Sequence, residues 1–255
     1  MTPPGEPSTF AVLQVKRDAR DPMVLAKALA AARKTPVQDQ MIAARSAWGI
    51  VAEKLAEAEA KALVATLAAS GLECAACPTS SLVQLPGADP ATKLEALPAS
   101  PLVLIAVAAI TVTTETTTTE KRGPTGAQKI MSTALSLGTG LPIKLGGRTR
   151  TVEKTQQHQN LVFYADLHYE GPFRRLRIAA AKFDFSCLKE RMLYQAQANL
   201  KLLIGDLARA APDAWQNHGT KVLLEAKPIQ TMGYGSLKDL ERESRWLLTL
   251  RALKR

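Results

Sequence analysis

The side chains with the greatest chemical reach in this chain are basic ones. Arg174, Arg175 and Arg177 crowd one short segment, Lys182, Lys189 and Arg191 follow it, and Arg148, Arg150 and Lys154 precede it. Guanidinium groups at such density hold phosphate or carboxylate oxygens through bidentate, salt-sensitive bonds. Arg148, Arg150, Lys154, Arg174, Arg175, Arg177 and Lys182 therefore form the candidate anion-binding set. The charge distribution points the same way. Residues 121–255 carry twenty-three Lys/Arg against eleven Asp/Glu, whereas residues 1–85 are nearly balanced. Any anionic partner belongs to the C-terminal part. Stacking of bases would need outward aromatics, and only Tyr164 shares that face, Phe163 pointing inward. The alternative is a solvated face on which these cations pair with Asp166, Glu170 and Glu190.

Other motifs carry less. Gly123-Pro-Thr-Gly-Ala-Gln-Lys129-Ile130 has phosphate-loop spacing, but Gln128 replaces the glycine that leaves room for phosphates, and Ile130 replaces the magnesium-binding hydroxyl. Asp166 ends a Walker-B-like strand, yet arginine faces it across the expected hairpin. Cys74-Ala-Ala-Cys77 has metal or redox spacing without a second pair, and positions three apart on a strand point to opposite faces. These cysteines read as small packed residues. Cys187 stands at an expected helix start, where a thiol pKa can fall, but no base accompanies it; core packing is its reading. His158, His168 and His218 lack ligand spacing, no G-x-S-x-G anchor exists, and Glu241 with Glu243 sits on a charged helix face. No catalytic residue, cofactor or metal site is expected.

These residues are positioned by two groups of elements. In residues 10–77, Phe10–Val15 reads as a strand. Asp21-Pro22 opens a helix to about Arg33, with cap and proline in the favoured order. Thr35-Pro-Val-Gln38 fits a capping box for a second helix. A break follows at Trp48-Gly49, then a third helix from about Glu57 to Ser70 that stops at Gly71. Leu72–Cys77 closes the unit as a strand.

The stretch Val51-Ala-Glu-Lys-Leu-Ala-Glu-Ala-Glu-Ala-Lys-Ala-Leu-Val-Ala-Thr-Leu-Ala-Ala-Ser-Gly-Leu-Glu-Cys resembles the C-terminal domain of the bacterial ribosomal stalk protein, in which an acidic, alanine-rich helix leads through glycine to a terminal strand. The resemblance covers about a quarter of the chain. In that family the domain recruits elongation GTPases through a Gly- and Lys-rich turn into its second helix. Here Lys34-Thr-Pro-Val-Gln-Asp-Gln-Met41 holds proline, glutamine and aspartate instead. The resemblance thus implies the fold and a docking face, not the ribosomal role.

Residues 78–101 carry five prolines with Ser, Gly and Asp between them, and read as a stiff connector without strand or helix. Residues 102–255 then form a basic domain. Leu102–Thr119 is a long strand, buried first and exposed later, and Thr125–Leu137 has helical character. Leu161–Glu170 and Phe173–Phe185 make a hairpin about Gly171-Pro172, placing Asp166 opposite Arg177, His168 opposite Arg175 and Leu167 opposite Leu176, with one apolar and one charged face. An amphipathic helix from about Leu188 to Ala210 follows, then a helical turn stopped at Gly219 and a strand at Lys221–Glu225. Ser236-Leu-Lys-Asp239 caps a last helix.

The fold class expected is α+β, in two domains. The function expected is non-enzymatic protein–protein interaction, as adaptor or scaffold, with a protein partner and a homo-oligomer or larger assembly in view. Nucleic-acid or polyanion binding through the basic domain is the first alternative, an enzyme with an unfamiliar site the second. The apolar run Pro101–Ile110 is about half the ~20 residues a spanning helix needs, and Met1–Ser8 has no leader pattern. A cytoplasmic protein without membrane contact is the expectation.

Overall fold

The computed structural model describes residues 9–17, 21–94, 100–122, 150–171 and 173–254. The protein is α+β. Eight strands are described: β1 Phe10–Gln14, β2 Ile50–Leu55, β3 Cys74–Pro78, β4 Asp89–Ala91, β5 Leu102–Arg122, β6 Arg150–Tyr169, β7 Arg174–Ala179 and β8 Trp215–Gln216. The described α-helices are α1 Pro22–Arg33, α2 Val37–Ser46, α3 Glu57–Ala69, α4 Ala196–Ala210, α5 His218–Leu224 and α6 Leu237–Leu253. The chain divides into two compact units, one of residues up to Ile110 with Val162 onward, the other Thr111–Leu161. The division falls within β5 and β6. Residues 10–77 and the C-terminal helices share the first unit.

A three-stranded antiparallel sheet of order β2-β1-β3 carries α1, α2 and α3. Strand alternation sends the β1 side chains to two cores. Val12 joins Leu25, Leu29, Ala60 and Leu67 beneath the helices, while Ala11 and Leu13 join Ile50, Trp48 and Trp246 on the other side. Asp21 caps α1, its Oδ1 accepting from Met23 N at 2.9 Å and Val24 N at 3.2 Å. The capping box expected at Thr35 does not form: α2 starts at Val37 with Pro36 as its cap, and Thr35 Oγ1 accepts instead from Gln40 Nε2 at 3.0 Å. Strand β2 was not anticipated, because Ala, Glu and Lys in Ile50–Leu55 favour helix. Two successive left-handed residues, Trp48 (φ 45°) and Gly49 (φ 84°), reverse the chain and feed it into the sheet.

The second sheet of this chain has the order β4-β7-β6-β5-β8. Val103–Ile110 of β5 is buried throughout, as a central strand covered on both faces should be. The hairpin register is as the sequence implies: Asp166 faces Arg177, Leu167 faces Leu176 and His168 faces Arg175. Three expectations fail. The proline-rich connector is bound into the body, since β4 pairs parallel with β7, Leu82 is buried, and Val83 N donates to Thr249 Oγ1 at 3.0 Å. Helix α4 begins at Ala196 rather than Leu188; Ser186–Arg191 is a 3-10 turn interrupted at Lys189 (φ 52°, ψ −127°). Lys221–Glu225 is not a strand but lies at the end of α5. Its Gly219 is forced by proximity, because a Cβ there would sit 1.9 Å from the Val107 carbonyl oxygen. Three apolar residues, Val222, Leu223 and Leu224, between Lys221 and Glu225 could not outweigh a cap from Asn217 and a glycine that lets the helix lie on β5.

Candidate functional site

Helix α6 brings the ionisable groups of the first unit together. Its start is held by Asp239, whose Oδ2 accepts from Ser236 N at 3.0 Å and Gly235 N at 2.9 Å. Successive side chains then reach different neighbours. Arg242 donates to the carbonyls of Ala47 and Ile50, each at 2.8 Å. Arg245 donates to Glu53 Oε2 at 2.8 Å, and Trp246 Nε1 donates to the Gln14 carbonyl at 2.8 Å. The Trp246 ring lies against Gly49, where a Cβ would come within 1.9 Å of it. Glycine is required there for both its φ and its bareness.

Glu241 completes a buried ion cluster. Asp166, fully buried, accepts from Arg175 Nε at 2.9 Å and Nη2 at 2.6 Å, and from Arg177 Nε at 2.8 Å and Nη2 at 2.9 Å. The same two arginines donate through Nη2 to Glu241 Oε1 at 2.9 and 3.0 Å. Two guanidiniums thus meet two carboxylates. Burial works to raise the Glu241 carboxyl, but the hydrogen bonds from Arg175 and Arg177 prevail and hold it below the usual range. Hydrogen bonding to Asp166 fixes the Arg177 proton still more firmly. His168 is wholly buried beside this cluster, stacked on Phe173 with ring centroids 6.2 Å apart. Neither of its ring nitrogens has a hydrogen-bond partner among the described residues. Desolvation, reinforced by both arginines and opposed by Asp166, lowers its pKa to about 4, so the ring is neutral at pH 7.

The candidate anion set is therefore dispersed. Arg175 and Arg177 point inward to Asp166 and Glu241, in a buried face rather than a solvated one. Arg174 is exposed and pairs with Asp89 at 3.2 Å, and Lys182 is exposed. Arg148 lies outside the described residues, as do the phosphate-loop-like Gly123–Ile130 and the helix expected at Thr125–Leu137; Arg150 and Lys154 fall within β6. Cys74 packs under the helices and Cys77 in the opposite core, as strand alternation requires. Burial raises the Cys74 thiol to about 11 and the Cys77 thiol in the same direction. Cys187 is exposed rather than packed, and its thiol is shifted up, by desolvation foremost, not down. Among the described residues no group of three His, Cys, Asp or Glu could hold a metal ion.

The site that the sequence did not reveal surrounds Glu243. This carboxylate is 3% exposed. Its Oε2 accepts from Asn217 Nδ2 at 2.9 Å and from the Tyr234 hydroxyl, and its Oε1 accepts from the His218 backbone N–H at 3.2 Å. Asn217 Oδ1 in turn accepts from Val107 N, Thr220 N and Thr220 Oγ1 at 2.8–2.9 Å. Tyr234 stacks on Trp48 with centroids 4.2 Å apart. These three donors to Glu243 are neutral. Beside this network opens a cavity of about 430 Å³, floored by Trp48, Gly49, Asn217, Glu243 and Trp246 and bordered by Arg17, His218, Lys221, Glu225 and Lys227. At the rim Lys227 pairs with Glu225, and the Arg17 guanidinium lies 4.3 Å from the centre of the Trp215 ring. Glu241 and Glu243, which the sequence places together on a charged face, diverge into separate buried systems. Glu241-Arg-Glu-Ser-Arg-Trp246 gave no signal for this, since charge on several sides of a helix ordinarily marks a solvated one.

Compared with family models, with curated proteins and with solved structures, the chain finds no match. No helix among the described residues is long and apolar enough to cross a membrane.

Proposed function

We propose that the protein is a non-enzymatic adaptor or scaffold that docks a partner protein through the loop Met192-Leu193-Tyr194. The observation carrying this reading is that three consecutive large apolar side chains are turned outward, Tyr194 completely so. The loop is also clamped: Asn199, itself buried, accepts from Leu193 N at 2.6 Å and donates to the Leu193 carbonyl at 2.7 Å. An exposed apolar group held in one conformation binds with little further loss of entropy. Lys189 and Arg191 precede it and are exposed; Arg191 is paired with Asp206, so Lys189 is the cation that favours an acidic rim around an apolar groove on the partner. The strand-helix-helix-strand-helix-strand order of residues 10–78 supports the stalk-like fold reading. Its sheet has one face covered by the rest of the first unit, and its helices carry the exposed Met23 and Ile42.

Affinity capture with the full chain tests the proposal. Leu193→Ser with Tyr194→Ser should abolish capture of a stoichiometric partner while circular dichroism is unchanged; an identical partner set would sink it. The polyanion alternative loses its two central arginines to Asp166 and Glu241. The enzyme alternative gains one favourable observation, the cavity that holds Glu243, His218 and Lys221 together.

A further inference from the structure

We infer that the open edge of β3 pairs with the same edge of a second copy of the chain, joining two sheets into one. The direction of the β3 peptide groups carries this. In the order β2-β1-β3 the strand has β1 on one side and, among the described residues, no strand on the other. Val15 N donates to the Glu73 carbonyl at 2.9 Å, and Thr79 N to the Thr9 carbonyl at 2.8 Å. Peptide groups alternate in direction along an antiparallel ladder. Glu73, Ala75, Cys77 and Thr79 therefore face β1, while Cys74, Ala76 and Pro78 turn theirs outward. Among the described residues no backbone group meets them there. Folded proteins usually blunt such an edge with charge, a bulge or a cover. Here Cys74–Pro78 has no charged residue, and Ala75, Ala76 and Pro78 are exposed.

A two-fold axis perpendicular to the sheet keeps side-chain faces in register only if it passes through a residue rather than between two. Set on Ala76, it places Ala76 opposite its own copy, Ala75 opposite Cys77 and Cys74 opposite Pro78. The outward groups then match. Ala76 N–H donates to the Ala76 carbonyl of the second copy, and Cys74 N–H to the Pro78 carbonyl, each bond made twice by symmetry. No like charges meet, since Glu73 falls opposite Thr79. The two copies of α3, which packs on β3, then lie on the same face of the joined sheet. That helix exposes Ala58, Ala62, Ala65 and Ala69 in one row, so a second α3 can come close. An extended segment of an unrelated protein would use the edge but not this helix face, which favours the second copy. Pairing here uses none of the docking loop.

Analytical ultracentrifugation of the full chain provides the test. The wild type should form a dimer with a Kd below about 100 μM. Ala76→Lys sets like charges face to face on the axis and should weaken the dimer at least about tenfold. Ala76→Glu should do the same, and mixing the two variants should restore the dimer. Ala76 is exposed, so circular dichroism should be unchanged in both. In a Cys187→Ser background, Ala76→Cys should give a covalent dimer on oxidation, because directly opposed residues lie within disulfide reach. Leu193→Ser with Tyr194→Ser should leave the dimer intact, which separates this edge from the docking loop. A monomeric wild type at about 100 μM, a dimer unchanged by Ala76→Lys, no restoration on mixing, no covalent Ala76→Cys dimer, or a dimer lost in the loop variant would each overturn the assignment.

Discussion

The two buried carboxylate systems on either side of helix α6 differ in how their charge is answered. At Asp166, two guanidiniums supply four hydrogen bonds at 2.6–2.9 Å, and Glu241 balances the second positive charge. At Glu243, a tyrosine, an asparagine and a backbone amide do the holding, and a cavity adjoins. The first arrangement is closed, with its charges matched and its donors committed. The second holds its carboxyl through a tyrosine, an asparagine and a backbone amide at the wall of a cavity of about 430 Å³. A dense basic sequence therefore marked the structural cluster, and a lone glutamate marked the more open chemistry.

The largest expected effect breaks the closed system. Asp166→Ala leaves Arg175 and Arg177 buried with only the half-exposed Glu241, and should cost about 3–5 kcal/mol in urea denaturation. A loss under about 1 kcal/mol would mean that water reaches the pair and that the contrast with Glu243 is false.

Next in size is a pH effect at His168. Its folded pKa of about 4 lies below the ordinary 6.5. Above pH 6.5 the ring is neutral folded or unfolded and contributes nothing. As the pH falls from 6.5 to 4 the unfolded chain takes up the proton first, so stability drops, by roughly 3 kcal/mol at most, and levels off below pH 4. His168→Leu should remove this fall, read as the difference between the two stability–pH curves, and should be near neutral at pH 7 because it buries no unpaired nitrogen. Parallel curves for variant and wild type would show that the ring is hydrated.

The smallest effect sharpens the open system. Glu243→Gln removes the charge and turns an amide NH2 toward N–H or O–H donors that the carboxyl now accepts from, so urea denaturation should show a loss of about 1–3 kcal/mol. A loss as large as that of Asp166→Ala would make Glu243 a structural keystone like its neighbour.

Much of this was legible from local signals. The Asp21-Pro22 cap, the turn at Trp48-Gly49, the Gly71 stop and the register about Gly171-Pro172 rest on short-range geometry that a few residues impose. The failures had longer-range causes. Strand β2 overrides its helical composition because an open sheet edge accepts it, and β4 forms in a proline-rich stretch because β7 offers partners. The start of α4 gave way to a loop clamped by Asn199, whose role no periodicity discloses.

By itself, the sequence determined the α+β class, the first unit's N-terminal helices and the pairing of Asp166 with Arg177, since alternation and turn chemistry act between near neighbours. Only the tertiary structure decided that the charged face of the hairpin is buried, and that Glu241 and Glu243 lead to different sites. Those outcomes depend on where helix α6 docks, seventy residues beyond the strands it covers, and side chains brought together across such a separation leave no spacing in the chain.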